Sequence, residues 1–369
     1  TEVLAEQHFR KLCQLFPQLH INVELLTGST PISKRKRILD DLTNGAIQIL
    51  VGTHALIEDP VSFFRLGLVI VDEQHRFGVN QRNRLLDKGL QPHLLTMTAT
   101  PIPRTLALSL HGDLDVSQID ELPPGRHPIE TKLISSGSIE NAYKLIREEI
   151  EKGQKAYFVL PLVEDSEKLN LRSAVNVHKQ LDEKIFKEFN VGLLHGRLSA
   201  FEKQSIIQNF VQGKFDILVS TTVIEVGVDV PEATVMVIDH ADRFGLSQLH
   251  QLRGRVGRGA EKSYCILINE SSNPQAKTRL DVLVSSNDGF EISEIDLKLR
   301  GPGQILGTKQ SGLPDFALAS LLDHSDVLEL ARKVANDIIE IDPDLKHHSL
   351  LYELIDQQRN KVLAASNLN

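Results

Sequence analysis

The second half of this chain repeats the first. Leu25-Leu26-Thr27-Gly28 has its counterpart in Leu193-Leu194-His195-Gly196. Gly45-Ala46-Ile47-Gln48-Ile49-Leu50-Val51-Gly52-Thr53 has its counterpart in Gly213-Lys214-Phe215-Asp216-Ile217-Leu218-Val219-Ser220-Thr221. The offset is 168 positions throughout (28 to 196, 45 to 213, 53 to 221), without a gap. Between the matched stretches, Ile38, Leu39 and Leu42 meet Ile206, Ile207 and Phe210 at helical spacing. A gapless strand–turn–helix–Gly–strand–Thr register is best explained by two lobes of one fold. With 369 residues, long for one core, it points to two domains plus an appendage.

Local patterns place elements around the repeat. Thr1 to Phe16 reads as a helix halted by Pro17. Strands are expected at Ile21–Leu26, Ile47–Val51, Leu68–Val71 and Leu94–Thr98, with helices at Lys34–Leu42 and about Arg104–Ser109. Strand–helix alternation of this kind implies βαβ units and a parallel sheet. Leu122-Pro123-Pro124-Gly125-Arg126-His127-Pro128 is a stiff, non-helical crossing and marks a domain boundary. Further strands follow at Ala156–Leu160, Val191–Leu194, Val235–Ile238 and Ser263–Ile268. Past Asn273 the texture turns helical, with one helix through Glu291, Ile295 and Leu299 and two amphipathic ones at Ser325–Ile341 and Ser349–Ala365. The expected division is a first lobe over 1–124, a second lobe over 125–272 and a C-terminal helical segment over 273–369.

Composition narrows the function classes. The net charge of −8 removes any bulk argument for nucleic-acid binding, so such binding has to come from local clusters. Cys13 and Cys265 are the two cysteines, too few and too far apart for a disulfide framework or a zinc site, which fits a reducing cytosol. No run reaches membrane-spanning length, and the N-terminus carries no signal pattern. The basic run Lys34-Arg35-Lys36-Arg37 is either a solvated helix face or a phosphate contact.

Two stretches carry chemistry. Leu68-Val69-Ile70-Val71 reads as a buried strand that ends in Asp72-Glu73-Gln74-His75. Ligands of open parallel sheets sit beyond the carboxyl ends of the strands. An acidic pair there suits a Mg²⁺-nucleotide: Asp72 holding the ion through water, Glu73 orienting or deprotonating the attacking water. The alternative is that both residues cap the next helix. The second stretch is Gln251-Leu252-Arg253-Gly254-Arg255-Val256-Gly257-Arg258, where arginines alternate with glycines. Guanidinium groups are forked, permanently charged donors for phosphate oxygens, and glycines clear the approach. Thr53 and Thr221 end equivalent strands, so a polymer laid across both lobes would meet the same hydroxyl-bearing loop twice, as suits a nucleic-acid backbone. Gly301 to Lys309 is not a phosphate loop, because Gly303 and Gly307 are too close and Thr308 precedes Lys309.

Val71 to His75, Thr98-Ala99-Thr100, Ser220-Thr221-Thr222 with Glu225 to Asp229, and Gln251 to Arg258 together resemble the ordered signature of superfamily 2 helicases. Asp72 to Val79, Thr98 to Arg104, Gly112 to Arg126 and Asp296 to Gly312 narrow the likeness to the RecG family of branch-migration helicases, from Thr1 to about Asp323. The resemblance implies two RecA-like lobes, the first incomplete. It implies a motor using ATP and Mg²⁺ to move on double-stranded and branched DNA, at stalled forks and Holliday junctions. Carried over, Asp72 (through water to Mg²⁺) and Glu73 serve hydrolysis, and Gln74 and His75 couple the nucleotide to the other lobe. Thr98, Thr100, Gly227 and Asp229 link nucleotide and movement. Arg255 and Arg258, with Gln251 nearby, reach the phosphates. Thr53, His54, Gly196, Thr221 and Thr222 meet DNA, and Arg300, Gly301, Gly303 and Gln310 belong to a translocation hairpin. A monomer working beside single-strand-binding protein in a bacterial cytoplasm, at the nucleoid, is implied too. One departure matters: G-x-x-x-x-G-K-S/T is absent from the chain. The expectation is therefore a fragment that folds but hydrolyses ATP negligibly by itself. A transcription–repair coupling translocase and a non-catalytic interaction module are the alternatives.

Overall fold

The computed structural model describes residues 2–16, 19–74, 77–99, 115–161, 167–221, 230–300 and 325–366. The helix expected at Arg104–Ser109 lies outside them. Two compact units emerge, Thr1–Pro101 with Ile119–Asp296, and Ile102–Gln118 with Leu297–Asn369.

The first lobe opens with α1 (Glu2–Leu15), β1 (Val23–Leu26), α2 (Ile32–Thr43) and β2 (Ile49–Gly52), followed by β3 (Leu68–Val71), α3 (Val79–Leu86) and β4 (His93–Thr96). β1 and β2 form one parallel pair, and β3 and β4 another. Ile38 and Leu42 of α2 bury against Leu26, Ile47 and Val61. The basic run on α2 faces carboxylates: Lys34 and Arg37 pair with Glu24 at 3.5 and 3.4 Å, and Arg35 pairs with Glu58. These ion pairs favour the solvated-face reading of the run.

The second lobe contains β5 (Glu130–Ser135), α4 (Ile139–Glu151), β6 (Lys155–Val159), α5 (Glu167–Gln180), β7 (Val191–Leu194), α6 (Ala200–Val211), β8 (Ile217–Ser220), β9 (Ala233–Ile238), α7 (Leu246–Arg253) and β10 (Tyr264–Asn269). Its parallel sheet has six strands in the order β5-β10-β9-β6-β8-β7. The repeat is structural: Val23 pairs with Ile49, and Val191 with Ile217, each position displaced by 168. α8 (Pro274–Ser285) and α9 (Gly289–Arg300) continue the chain, and Leu280, Leu283 and Ile292 enter the core beneath β9 and β10. The start of the helical segment thus packs as part of the second lobe.

One sequence expectation needs correcting. β3 is not buried on both faces: Val69 and Val71 are buried, whereas Leu68 and Ile70 are 54% and 55% exposed. In the second lobe, β6 pairs on one side with β8 and on the other with β9. Among the described residues no strand does the same between β2 and β3, which stay in separate pairs.

Beyond the two lobes, α10 (Ser325–Ile341) and α11 (Ser349–Ser366) are joined by a turn in which Asp342 accepts the N–H groups of Lys346 and His347. No described helix is long and apolar enough to cross a membrane.

Candidate functional site

Val71 buries the end of β3 and so fixes where the next two carboxylates begin. Asp72 Oδ1 accepts the Glu73 N–H at 2.9 Å, and Asp72 Oδ2 lies 3.0 Å from His8 Nε2 on α1. Glu73 has φ of 51°, a left-handed conformation that costs a non-glycine residue about 1–3 kcal/mol and tends to mark functional sites. The surroundings hold it there. Gln74 N–H donates to Met97 O at 3.0 Å, and Met97 N–H to Val71 O at 2.8 Å, tying the end of β3 to the end of β4. Neither carboxylate caps a helix: α3 starts at Val79, and the Gly78 N–H before it donates to Gln81 Oε1 at 2.9 Å. Asp72 is a hard oxygen donor with its side chain one-third exposed. It fits Mg²⁺ held through water, since that ion keeps several waters and takes few protein ligands.

The same loop touches the edge expected to meet a polymer. His54, just after Thr53, stacks on Phe77 with ring centroids 4.5 Å apart. Arg82 Nη1 donates to Phe77 O at 3.1 Å, which fixes that ring's backbone. Phe77, five residues past Asp72, thus lies against the Thr53–His54 loop. Thr98 is half-buried one residue past Met97.

In the second lobe, Leu246, Leu249 and Leu252 anchor α7 in the core, and Gly254 ends it. Gly257 has φ of 73°, and a Cβ there would stand 3.0 Å from Ile129, so the turn requires glycine. The three arginines then separate. Arg253 turns inward: Nη1 donates to Leu283 O and Ser286 O at 2.8 Å each, and Nη2 lies 3.0 Å from His250 Nδ1. It closes the C-terminal end of α8 and is no phosphate ligand. Burial first, and the Arg253 charge next, push the His250 imidazole down to about 4. Arg255 is buried, while Arg258 is half-buried, with Nε donating to Gly254 O at 3.4 Å. Gln251 is half-buried on the last turn of α7. Ser247 Oγ donates to Asp296 Oδ2 at 3.2 Å, joining the start of α7 to α9.

At the C-terminal ends of β7 and β8, Gly196 is exposed and its carbonyl accepts Lys203 Nζ at 2.7 Å, while Thr221 is buried. His75, Thr100, Thr222, Gly227, Asp229, Gly301, Gly303 and Gln310 lie outside the described residues. So does the side chain of Arg300, which ends α9. Sequence spacing gave no hint of His8 or Phe77, because their partners are distant in the chain or belong to an unremarkable turn. The inward role of Arg253 was equally hidden among identical neighbours.

Known proteins fit this arrangement. Residues 1–108 match the DEAD/DEAH box helicase family, and residues 138–260 the helicase conserved C-terminal domain. Residues 286–369 match the C-terminal part of domain 3 of the ATP-dependent DNA helicase RecG. The ATP-dependent DNA helicase RecG of Synechocystis sp. is 58% identical over 368 residues, covering 100% of this chain and 44% of the relative. That of Bacillus subtilis is 50% identical over 342 residues, covering 93% of this chain and 50% of the relative. A solved structure of RecG bound to a three-way DNA junction has 46% identity and a TM-score of 0.71, covering 89% of this chain and 42% of that one. Fold and strand-end motifs together place the chain in the two-lobed RecA-like class. Within that class the chain is a homologue of the RecG helicases, spanning about half of their length or less.

Proposed function

We propose that this chain is the motor portion of an ATP-dependent DNA helicase that remodels branched DNA, including stalled forks and Holliday junctions, in recombination and repair. The observation that carries the reading is the Asp72–Glu73 pair, held on a strained turn at the end of β3 in a chain 58% identical along its length to a RecG helicase.

When bound, Mg²⁺ and ATP supply a neutralising charge and the phosphoryl group that is transferred. Asp72 would hold the ion through water, and Glu73 would orient the attacking water and take its proton. Arg255 and Arg258, with Gln251, would face the charge that develops on the transferred group; such electrostatic placement is the largest catalytic contribution in this chemistry. Gln74, His75, Thr98 and Thr100 would relay the nucleotide state, with the His54–Phe77 contact as one route. Gly227 and Asp229 would lie near the nucleotide. Thr53, His54, Gly196, Thr221 and Thr222 would track the DNA backbone, and Arg300, Gly301, Gly303 and Gln310 would transmit movement to the duplex. The reading extends to a monomer that works beside single-strand-binding protein on the bacterial nucleoid, in the cytoplasm.

The chain by itself should hydrolyse ATP negligibly, since it contains no G-x-x-x-x-G-K-S/T to cradle the phosphates. The test is a chimera in which this chain replaces its matching segment in the Synechocystis relative. DNA-stimulated ATPase should appear in the chimera and fall at least about 100-fold in its Glu73→Gln variant. A Glu73→Gln chimera with undiminished turnover would refute the assignment.

A further inference from the structure

Two polar side-chain atoms at one sheet edge of the second lobe are buried without a hydrogen-bond partner, His195 Nδ1 and Thr221 Oγ1. Unsatisfied buried groups are rare and ask for an explanation. The register explains why these two occur together. β7 and β8 run parallel with Leu194 opposite Ser220, and Thr221 N–H donates to Leu194 O at 3.3 Å. His195 and Thr221 are therefore the next pair outward, side by side on adjacent parallel strands. The hydroxyl is a donor and the imidazole nitrogen can be an acceptor. Turning the Thr221 hydroxyl and the ring toward each other would satisfy both.

The charged groups around the ring are Lys203 and Glu202 on α6 and Arg197 on the turn before it. Burial first, then Lys203 and Arg197, hold the imidazole below its ordinary pKa, against the opposing pull of Glu202. A neutral ring has one N–H to give, and which nitrogen carries it is set by the bond the other makes. The first lobe has no such arrangement. Its positions 168 earlier are Thr27 and Thr53, and Thr27 Oγ1 is already engaged, 3.0 Å from Ser29 Oγ.

We propose that Thr221 and His195 act as a relay onto one phosphate of the DNA backbone: the Thr221 hydroxyl donates to His195 Nδ1, and the N–H thereby fixed on Nε2 donates to a phosphate oxygen. His195 is the phosphate ligand, and Thr221 is the positioning residue behind it. The proposal rests on the DNA-motor reading above and adds a ligand that the first lobe lacks.

Anisotropy of a fluorescein-labelled blunt duplex at low salt tests it on the whole chain. Thr221→Val and His195→Ala should each weaken binding about fivefold to tenfold, and the double variant no further, because both break the same relay. His195→Gln, whose amide N–H can stand where Nε2–H stood, should recover most of the loss, while His195→Asn should not. Thr221→Val should melt no lower than the parent, since it removes an unsatisfied hydroxyl; this separates a lost contact from a lost fold. Parental affinity in Thr221→Val and His195→Ala, or additive losses in the double variant, would overturn the relay while leaving the motor reading intact. If the parent chain binds no duplex at low salt, the DNA reading falls and the relay with it.

Discussion

The two lobes share a register but not a core. In the second, β6 joins β8 to β9, and all six residues of β9 are buried. In the first, β1-β2 and β3-β4 remain separate pairs, the core is a small cluster around Leu26 and Ile38, and β3 shows Leu68 and Ile70 to solvent. A two-stranded ribbon is marginal alone, whereas a six-stranded sheet covered on both faces is not. Sequence likeness at the 168-residue offset therefore guarantees the same local pairing without guaranteeing the same stability. The acidic half of the proposed site sits on the weaker lobe and the arginine half on the stronger.

Substitutions can sharpen that contrast. Phe158→Ala in β6 should cost about 3–5 kcal/mol in urea unfolding, as for other fully buried aromatics. Arg253→Met should come next, at roughly 2–3 kcal/mol, because it strips the Leu283 and Ser286 carbonyls of their donor; Arg258→Met, half-buried, should stay within about 0.5 kcal/mol. Ile70→Ser should likewise change the isolated chain by no more than about 0.5 kcal/mol. In the chimera with the Synechocystis relative the same change should cost roughly 1.5–3 kcal/mol if that longer polypeptide covers the exposed face of β3. Equal, small costs in both settings would break the comparison.

A pH dependence confined to the second lobe is expected beside these costs. The His250 imidazole sits at about 4 in the folded chain against an unfolded value near 6.5. The folded state therefore favours the neutral ring. That contribution is complete above pH 6.5 and is lost as pH falls from there toward 4. His250→Gln should flatten the decline in this window, and an unchanged slope would remove His250 as its source.

Much of this architecture can be read before any coordinates exist. Helix α2 and strands β1, β2, β7 and β8 follow from periodicity, and their pairing follows from the repeat. β5 escapes because Glu130-Thr131-Lys132-Leu133-Ile134-Ser135 is a half-polar edge strand straight after a proline-rich crossing. The exposure of β3 is illegible for a different reason. Leu-Val-Ile-Val is apolar at every position, so no alternation indicates which face lacks a cover. Arg253, Arg255 and Arg258 cannot be told apart by spacing, since only the position of α8 decides which guanidinium is swallowed. The His8–Asp72 contact joins residues 64 apart and has no local signal.

The central claim is that guanidinium from the second lobe and carboxylate from the first act on one nucleotide. Steady-state ATPase of the chimera carrying Arg258→Ala, with duplex DNA at saturation, tests it most directly. The account predicts a fall in kcat of at least about 100-fold, comparable to Glu73→Gln, with DNA affinity retained. Turnover within about twofold of the parent would place Arg258 outside the reaction and contradict a site shared between the lobes.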